Sequence, residues 1–195
     1  MTRDWRNHLI KERWESLYAS LTEEKKRKID ELMGNTPQLK VIKRKRKYPE
    51  VGDIFELMTQ EGIVFNGLVV NNHLTQIWPG DELILIFIFK EGIDIKNCIA
   101  NGVKKDDLLI APRIVGKEYW TRGYFHAVDH VEEYSAKKNY GFYWIPYNPT
   151  NHDTFYDEYK NELEKEPELL GQWGVATITG IASSVYKAMI IEGMI

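Results

Sequence analysis

The chain reads as an α+β protein with an N-terminal helical arm, a central, strongly curved antiparallel β-sheet or small barrel, and C-terminal helices. Three observations predict this. Apolar residues recur at helical spacing through the first 33 residues, the pattern changes to short strand-like runs from Gly52, and the tail returns to helical spacing.

Each element has its own signature. Ile10, Trp14, Leu17 and Leu21 fall at spacings of four, three and four, one apolar stripe that Trp5, Leu9 and Tyr18 widen. A second helix starts at Ser20–Thr22, where Ser20-x-x-Glu23 fits a capping box and Thr22 is an alternative cap. It buries Ile29, Leu32 and Met33, and Gly34 with Asn35-Thr36-Pro37 ends it. From Gly52, the runs 54–58 and 63–70 flank Thr59-Gln60-Glu61-Gly62 and predict a hairpin. Asn71-Asn72 and Pro79-Gly80-Asp81 supply the next turns. The run LILIFIF at 83–89 is apolar on both faces, as a central strand covered on both sides would be. Shorter strands are expected at 108–114, 123–131 and 141–145, then a loop at 146–153. The acidic segment 153–166, ended by Pro167, reads as a helix, 175–179 as a strand, and Ile181, Val185, Ala188, Met189 and Glu192 mark a closing amphipathic helix. We therefore expect a helical extension at 1–40 and a β-rich domain at 41–195.

Composition narrows the function classes. A chain of 195 residues buries roughly 70% of its unfolded surface and needs no disulfide or metal staple. The single cysteine, Cys98, rules out a disulfide framework and fits a reducing cytoplasm. The N-terminus lacks the apolar core of a signal peptide, and the longest apolar run is far short of the roughly twenty residues of a membrane helix, so neither secretion nor membrane insertion is expected. Charge is uneven: residues 1–47 hold 14 Lys/Arg and 7 Asp/Glu, a balance of +7, against −10 for the remainder and −3 overall.

The block Lys43-Arg44-Lys45-Arg46-Lys47 beside Tyr48 is the one nucleic-acid signal, and a nucleic-acid-associated module is the alternative function it suggests. No recognised nucleic-acid motif accompanies it, and such runs commonly serve as solvated linkers or guarded edges. His126 and His130 have metal-ligand spacing on a helix, but YFHAVDHV alternates like a strand, which sets them roughly 13 Å apart, too far for one ion. Cys98 sits in an apolar context where thiols are inert, and Ser183-Ser184 lacks a nucleophile elbow. Asp106-Asp107 and Glu132-Glu133 are adjacent pairs with no sign of converging on a cleft. Trp78, Trp120, Trp144 and Trp173 read as core. No metal, cofactor or catalytic residue is expected. The acidic run 157–168 beside Phe155, Tyr156 and Tyr159 is the best candidate partner surface, with Asp157, Glu158 and Glu162 supplying its charge.

The stretch KRKRKYPEVGDIFELMTQEGIVFNGLVV resembles the opening of the immunity protein 26 family of bacterial polymorphic-toxin systems, with Gly52, Asp53, Phe55 and Gly67 at the matching positions. Trp120-Thr-Arg-Gly123-Tyr124, Gly171-Gln-Trp-Gly174 and Gly180-Ile181 look like its downstream pattern, so the resemblance runs over about 42–190 and leaves out the N-terminal helices. It implies a non-enzymatic cytoplasmic inhibitor that binds a cognate protein toxin. Many such toxins are basic nucleases, which an acidic body suits. The motif residues themselves also read as structural, with Gly52-Asp53 in a turn and Phe55 in the core.

Overall fold

The computed structural model describes residues 8–44, 47–74, 82–132, 134–135, 139–143 and 154–195, with side chains described from residue 12. In chain order the elements are α1 (His8–Ser20), α2 (Glu23–Gly34), β1 (Leu39–Lys40), β2 (Asp53–Thr59), β3 (Val64–Leu74), β4 (Leu83–Phe89), α3 (Ile95–Asn101), a 3-10 turn (Lys105–Asp107), β5 (Leu108–Val115), α4 (Glu118–Thr121), β6 (His126–His130), β7 (Tyr140–Tyr143), β8 (Phe155–Tyr156), β9 (Glu162–Leu163), β10 (Leu169–Gln172) and α5 (Ile178–Glu192).

The predicted curved antiparallel sheet is present as a curled half-barrel in the order β1-β2-β3-β4-β5, with β6 also on β2. β6 pairs with residues 53–56 of β2 and β1 with residues 58–59, so the two short strands share one edge end to end. Register shifts with the extra residue on β3, β5 and β6 supply the bend, because an unpaired extra residue kinks a strand and tightens its twist. β4 is buried along its whole length, as its two-faced apolar run predicts. Ile84, Ile86 and Ile88 face the interior shared with α5, while Leu83, Leu85, Phe87 and Phe89 face α3 and the second sheet. That second sheet, β10-β7-β8-β9, was not expected, and its β7–β10 pair is parallel.

α5 closes the open side of the half-barrel with Ile181, Val185 and Met189. α2 packs on α5, burying Ile29, and Lys25 Nζ donates to Ile191 O at 2.5 Å, a cation at the carbonyl end of a helix dipole. Met33, expected to be buried on α2, and Leu17, expected on the apolar stripe of α1, are both exposed. α1 reaches the body through Arg13, whose guanidinium forks onto the Glu166 carboxylate at 2.5 and 2.7 Å, and through Trp14, whose ring lies 4.6 Å from Lys187 Nζ.

The Arg13 hydrogen bond holds the Glu166 carboxyl below its ordinary value of 4.5. The ionised form that grips α1 is therefore complete above that value and is lost as pH falls through the lower folded value. Acid titration followed by the Trp14 indole resonance is expected to show α1 loosening there, and Glu166→Gln to remove the step. An unchanged Trp14 titration in Glu166→Gln would contradict this.

Several expectations are corrected. Segment 153–166 is no helix over its described part: it is the β8–β9 hairpin. The Asp157 carboxylate accepts from Tyr159 N, Asn161 N and Asn161 Nδ2, and Lys160 takes φ +67° at the turn. A short side chain that satisfies three local donors outcompetes the helix. Segment 175–179 is no strand; Thr177 caps α5 by accepting from Gly180 N, and only Val175 bridges to Ile114. Asn71-Asn72 is not a turn but lies within β3, with Asn72 Nδ2 donating to Pro49 O. The 123–131 strand starts only at His126, because Gly123 (φ +86°) ends the α4 turn. Of the two caps for α2, Thr22 accepts from Lys25 N and Ser20 Oγ donates to Leu17 O. The Pro79-Gly80-Asp81 turn, Trp78, Trp144, Glu133, Lys45-Arg46 and the 146–153 loop lie outside the described residues.

Candidate partner-binding surface

The motif positions converge on one aromatic nest inside the half-barrel. Phe55, fully buried on β2, stacks on Phe125 at 4.5 Å between centroids and meets Trp120 edge-on at 5.5 Å. Tyr119 stacks on the other side of Phe125 at 4.6 Å. Gly67 on β3 is the register partner of Phe55, and the Phe55 ring lies over it: a Cβ there would stand 2.2 Å from Phe55 Cζ. Gly52 takes φ +93°, with its N–H on Val69 O, its carbonyl receiving Val131 N, and Val131 O only 2.5 Å from where a Cβ would be. Gly123 receives the N–H groups of Ile42 and Lys43 on its carbonyl, and an added Cβ would meet the 43–44 backbone at 2.8 Å. The described start of the basic block is thus a backbone strap against the α4 turn.

Asp53 belongs to the same framework. Its Oδ1 meets His130 Nδ1 at 2.8 Å and its Oδ2 accepts from Glu50 N at 2.9 Å. With Glu50 this brings three possible ligand atoms within 4.8 Å of one another, a grouping hidden in the sequence because His130 lies 77 positions after Asp53. Each already has a protein partner, Glu50 pairing with Lys47 at 2.9 Å. His126 sits opposite Glu56 and His130 opposite Asp53 on the extended strand β6, as the alternation predicts. Burial pushes the Cys98 thiol up, which suits an inert thiol.

The candidate partner residues sit on the β8–β9 hairpin in two groups. Phe155 and Glu158 point inward: Glu158 is 3% exposed and accepts from the Tyr140 hydroxyl at 3.0 Å, while burial, then Glu158, raises the Tyr140 phenol. Asp157 is engaged in the turn and Tyr156 is half-buried. Tyr159 and Glu162 are exposed, the Tyr159 hydroxyl receiving Asn71 Nδ2 at 3.3 Å, and Glu164 and Glu168 continue the acidic exposed rim. Trp173 meets Phe142 edge-on at 5.6 Å.

Arg113 was not singled out in the sequence, although a lone cation in the apolar strand LLIAPRIV was the available signal. It stands beneath α5, its Nη2 donating to Ser184 Oγ at 3.2 Å. Among the described residues, no helix is long and apolar enough to cross a membrane.

The Immunity protein 26 family matches residues 50–153, from the residues around Gly52 and Asp53 through the aromatic nest to the position just before the described segment that holds β8. The match stops short of the Gly171–Gly174 and Gly180–Ile181 stretches. No curated protein and no solved structure matches the chain. With more than half of its length matched, this chain belongs to the Immunity protein 26 family.

Proposed function

We propose that this protein is the immunity partner of a bacterial toxin, neutralising it by direct binding in the cytoplasm and without catalysis. The observation that carries the reading is the family match over residues 50–153. Because Gly52, Asp53, Phe55, Gly67, Trp120 and Gly123 are committed to the scaffold, the partner is met by residues around them. The exposed hairpin face, with Tyr159 as an aromatic anchor beside Glu162, Glu164 and Glu168, suits a basic surface such as that of a nuclease. The helices α1 and α2 precede the matched residues as an arm, whereas Leu39–Lys40 already belongs to the sheet as β1.

Affinity capture with the full chain from nuclease-treated lysate tests the reading. The expected result is a stoichiometric basic protein that survives moderate salt, is toxic when expressed alone and is silenced by co-expression. Tyr159→Ala with Glu162→Arg is expected to weaken capture by about tenfold or more, the scale of a lost interface anchor. Recovery of nucleic acid alone, with no protein after nuclease treatment, would overturn it in favour of the basic segment 43–47.

A further inference from the structure

We infer that the cavity beside Arg113 is a binding site for a carboxylate. The cavity, of about 260 Å³, opens between β5, the end of β10 and the start of α5, and is lined by Arg113, Gln172, Val175, Gly180 and Ser184 among others. Arg113 is half-buried and stands on the same face of β5 as Val115 and Ile110, which pack into the core under α5, and its Nε is shut off from water. Such a charge is ordinarily paired, because an unpaired buried ion is costly.

Here the pairing is missing. Among the described residues the one acceptor for the guanidinium is Ser184 Oγ, a neutral group whose own proton is donated to Gly180 O at 2.9 Å. Nε is buried without an acceptor. The charged groups that act on Arg113 include no carboxylate, and burial lowers its pKa. The nearby Lys187, repelled by Arg113 and itself partly desolvated, sits against the Trp14 ring and adds no compensating charge.

Charge count and shape choose the ligand class. One guanidinium lines the cavity, so a monoanion completes the balance, and a planar two-oxygen anion matches its N–H fork. The start of α5 is not the donor, because Thr177 already occupies Gly180 N. The inference goes beyond the immunity reading: the carboxylate belongs to a free small acid or to a polypeptide chain end, and the protein's own residues provide the same recognition for both.

The test is a calorimetric titration of the full chain with acetate and with N-acetyl-Gly-Gly, at constant ionic strength, with N-acetyl-Gly-Gly-amide as the uncharged control. Saturable one-to-one binding of either acid, absent for the amide, is expected. Tighter binding of the peptide identifies a chain end, and equal or tighter binding of acetate a free acid. Arg113→Gln is expected to weaken binding about tenfold or more, as loss of a charge-assisted bidentate contact does. Val175→Phe, which fills the mouth from an exposed position without touching Arg113, is expected to do the same in a chain that melts normally. Absence of saturable binding, equal binding of the amide, or full binding by Val175→Phe would overturn the assignment. Toxin capture by the unaltered chain in that event would leave the immunity reading intact.

Discussion

Phe55→Ala is expected to lower the unfolding free energy by about 3–5 kcal/mol, the range for removing a large aromatic from a core that cannot collapse around the gap. The lining is fixed on every side: Phe125 stacked on one face, Trp120 at the edge, and the β3 backbone at Gly67 beneath. The Gly67 backbone cannot move inward without disturbing the pairing of β3 with β2 and β4. A domain of this kind has roughly 5–15 kcal/mol of stability to lose, so the change removes a large share of it. Urea denaturation reads the effect as a lower midpoint at unchanged slope. A loss under about 1 kcal/mol would mean that the nest repacks and does not organise the half-barrel.

Gly67→Ala is expected to cost about 1–3 kcal/mol by overpacking, although it adds a single methyl group. That methyl would stand 2.2 Å from Phe55 Cζ and 2.7 Å from Phe87 O, the second a backbone atom in a paired strand that has no rotamer to change. Because the first clash is with Phe55, the two positions should be coupled. Phe55→Leu combined with Gly67→Ala is expected to cost less than the sum of the two single changes, and a double-mutant cycle measures the difference. Strict additivity would show that the clash with Phe87 O, not with Phe55, sets the cost.

Where one residue type dictates one geometry, the sequence was readable. LILIFIF admits no solvent-facing side, and β4 is indeed covered on both; the 3–4 spacing of Ile181, Val185 and Met189 can only be one helix face. The motif glycines and Phe55 were legible as structural residues, though not as a single nest, because register is what places Gly67 opposite Phe55. The failures share a cause in local side-chain chemistry. Asp157 and Thr177 each capture backbone N–H groups that a pattern of charges or β-branched residues does not reveal, turning one expected helix into a hairpin and one expected strand into a helix cap. The second sheet depends on the parallel pairing of β7 with β10, a contact between segments nearly thirty residues apart that no local period encodes. Arg113 was passed over for a related reason: its meaning lies in which groups fail to face it, and that is a property of packing.

The seat of α2 on α5 sets an order of events. Lys25 and Ile191, joined by a hydrogen bond, are separated by 166 positions, so α2 takes its seat only once the distant α5 is present. Until α5 has emerged, Ile29 has no surface to cover it and the half-barrel gapes on the side that Ile181, Val185 and Met189 later fill. Closure is therefore dominated by non-local contacts and slow compared with helix formation. A chain lacking α5 therefore displays two separate apolar surfaces, Ile29 on α2 and the half-barrel interior of Phe55, Val69 and Ile86, where the whole protein displays neither.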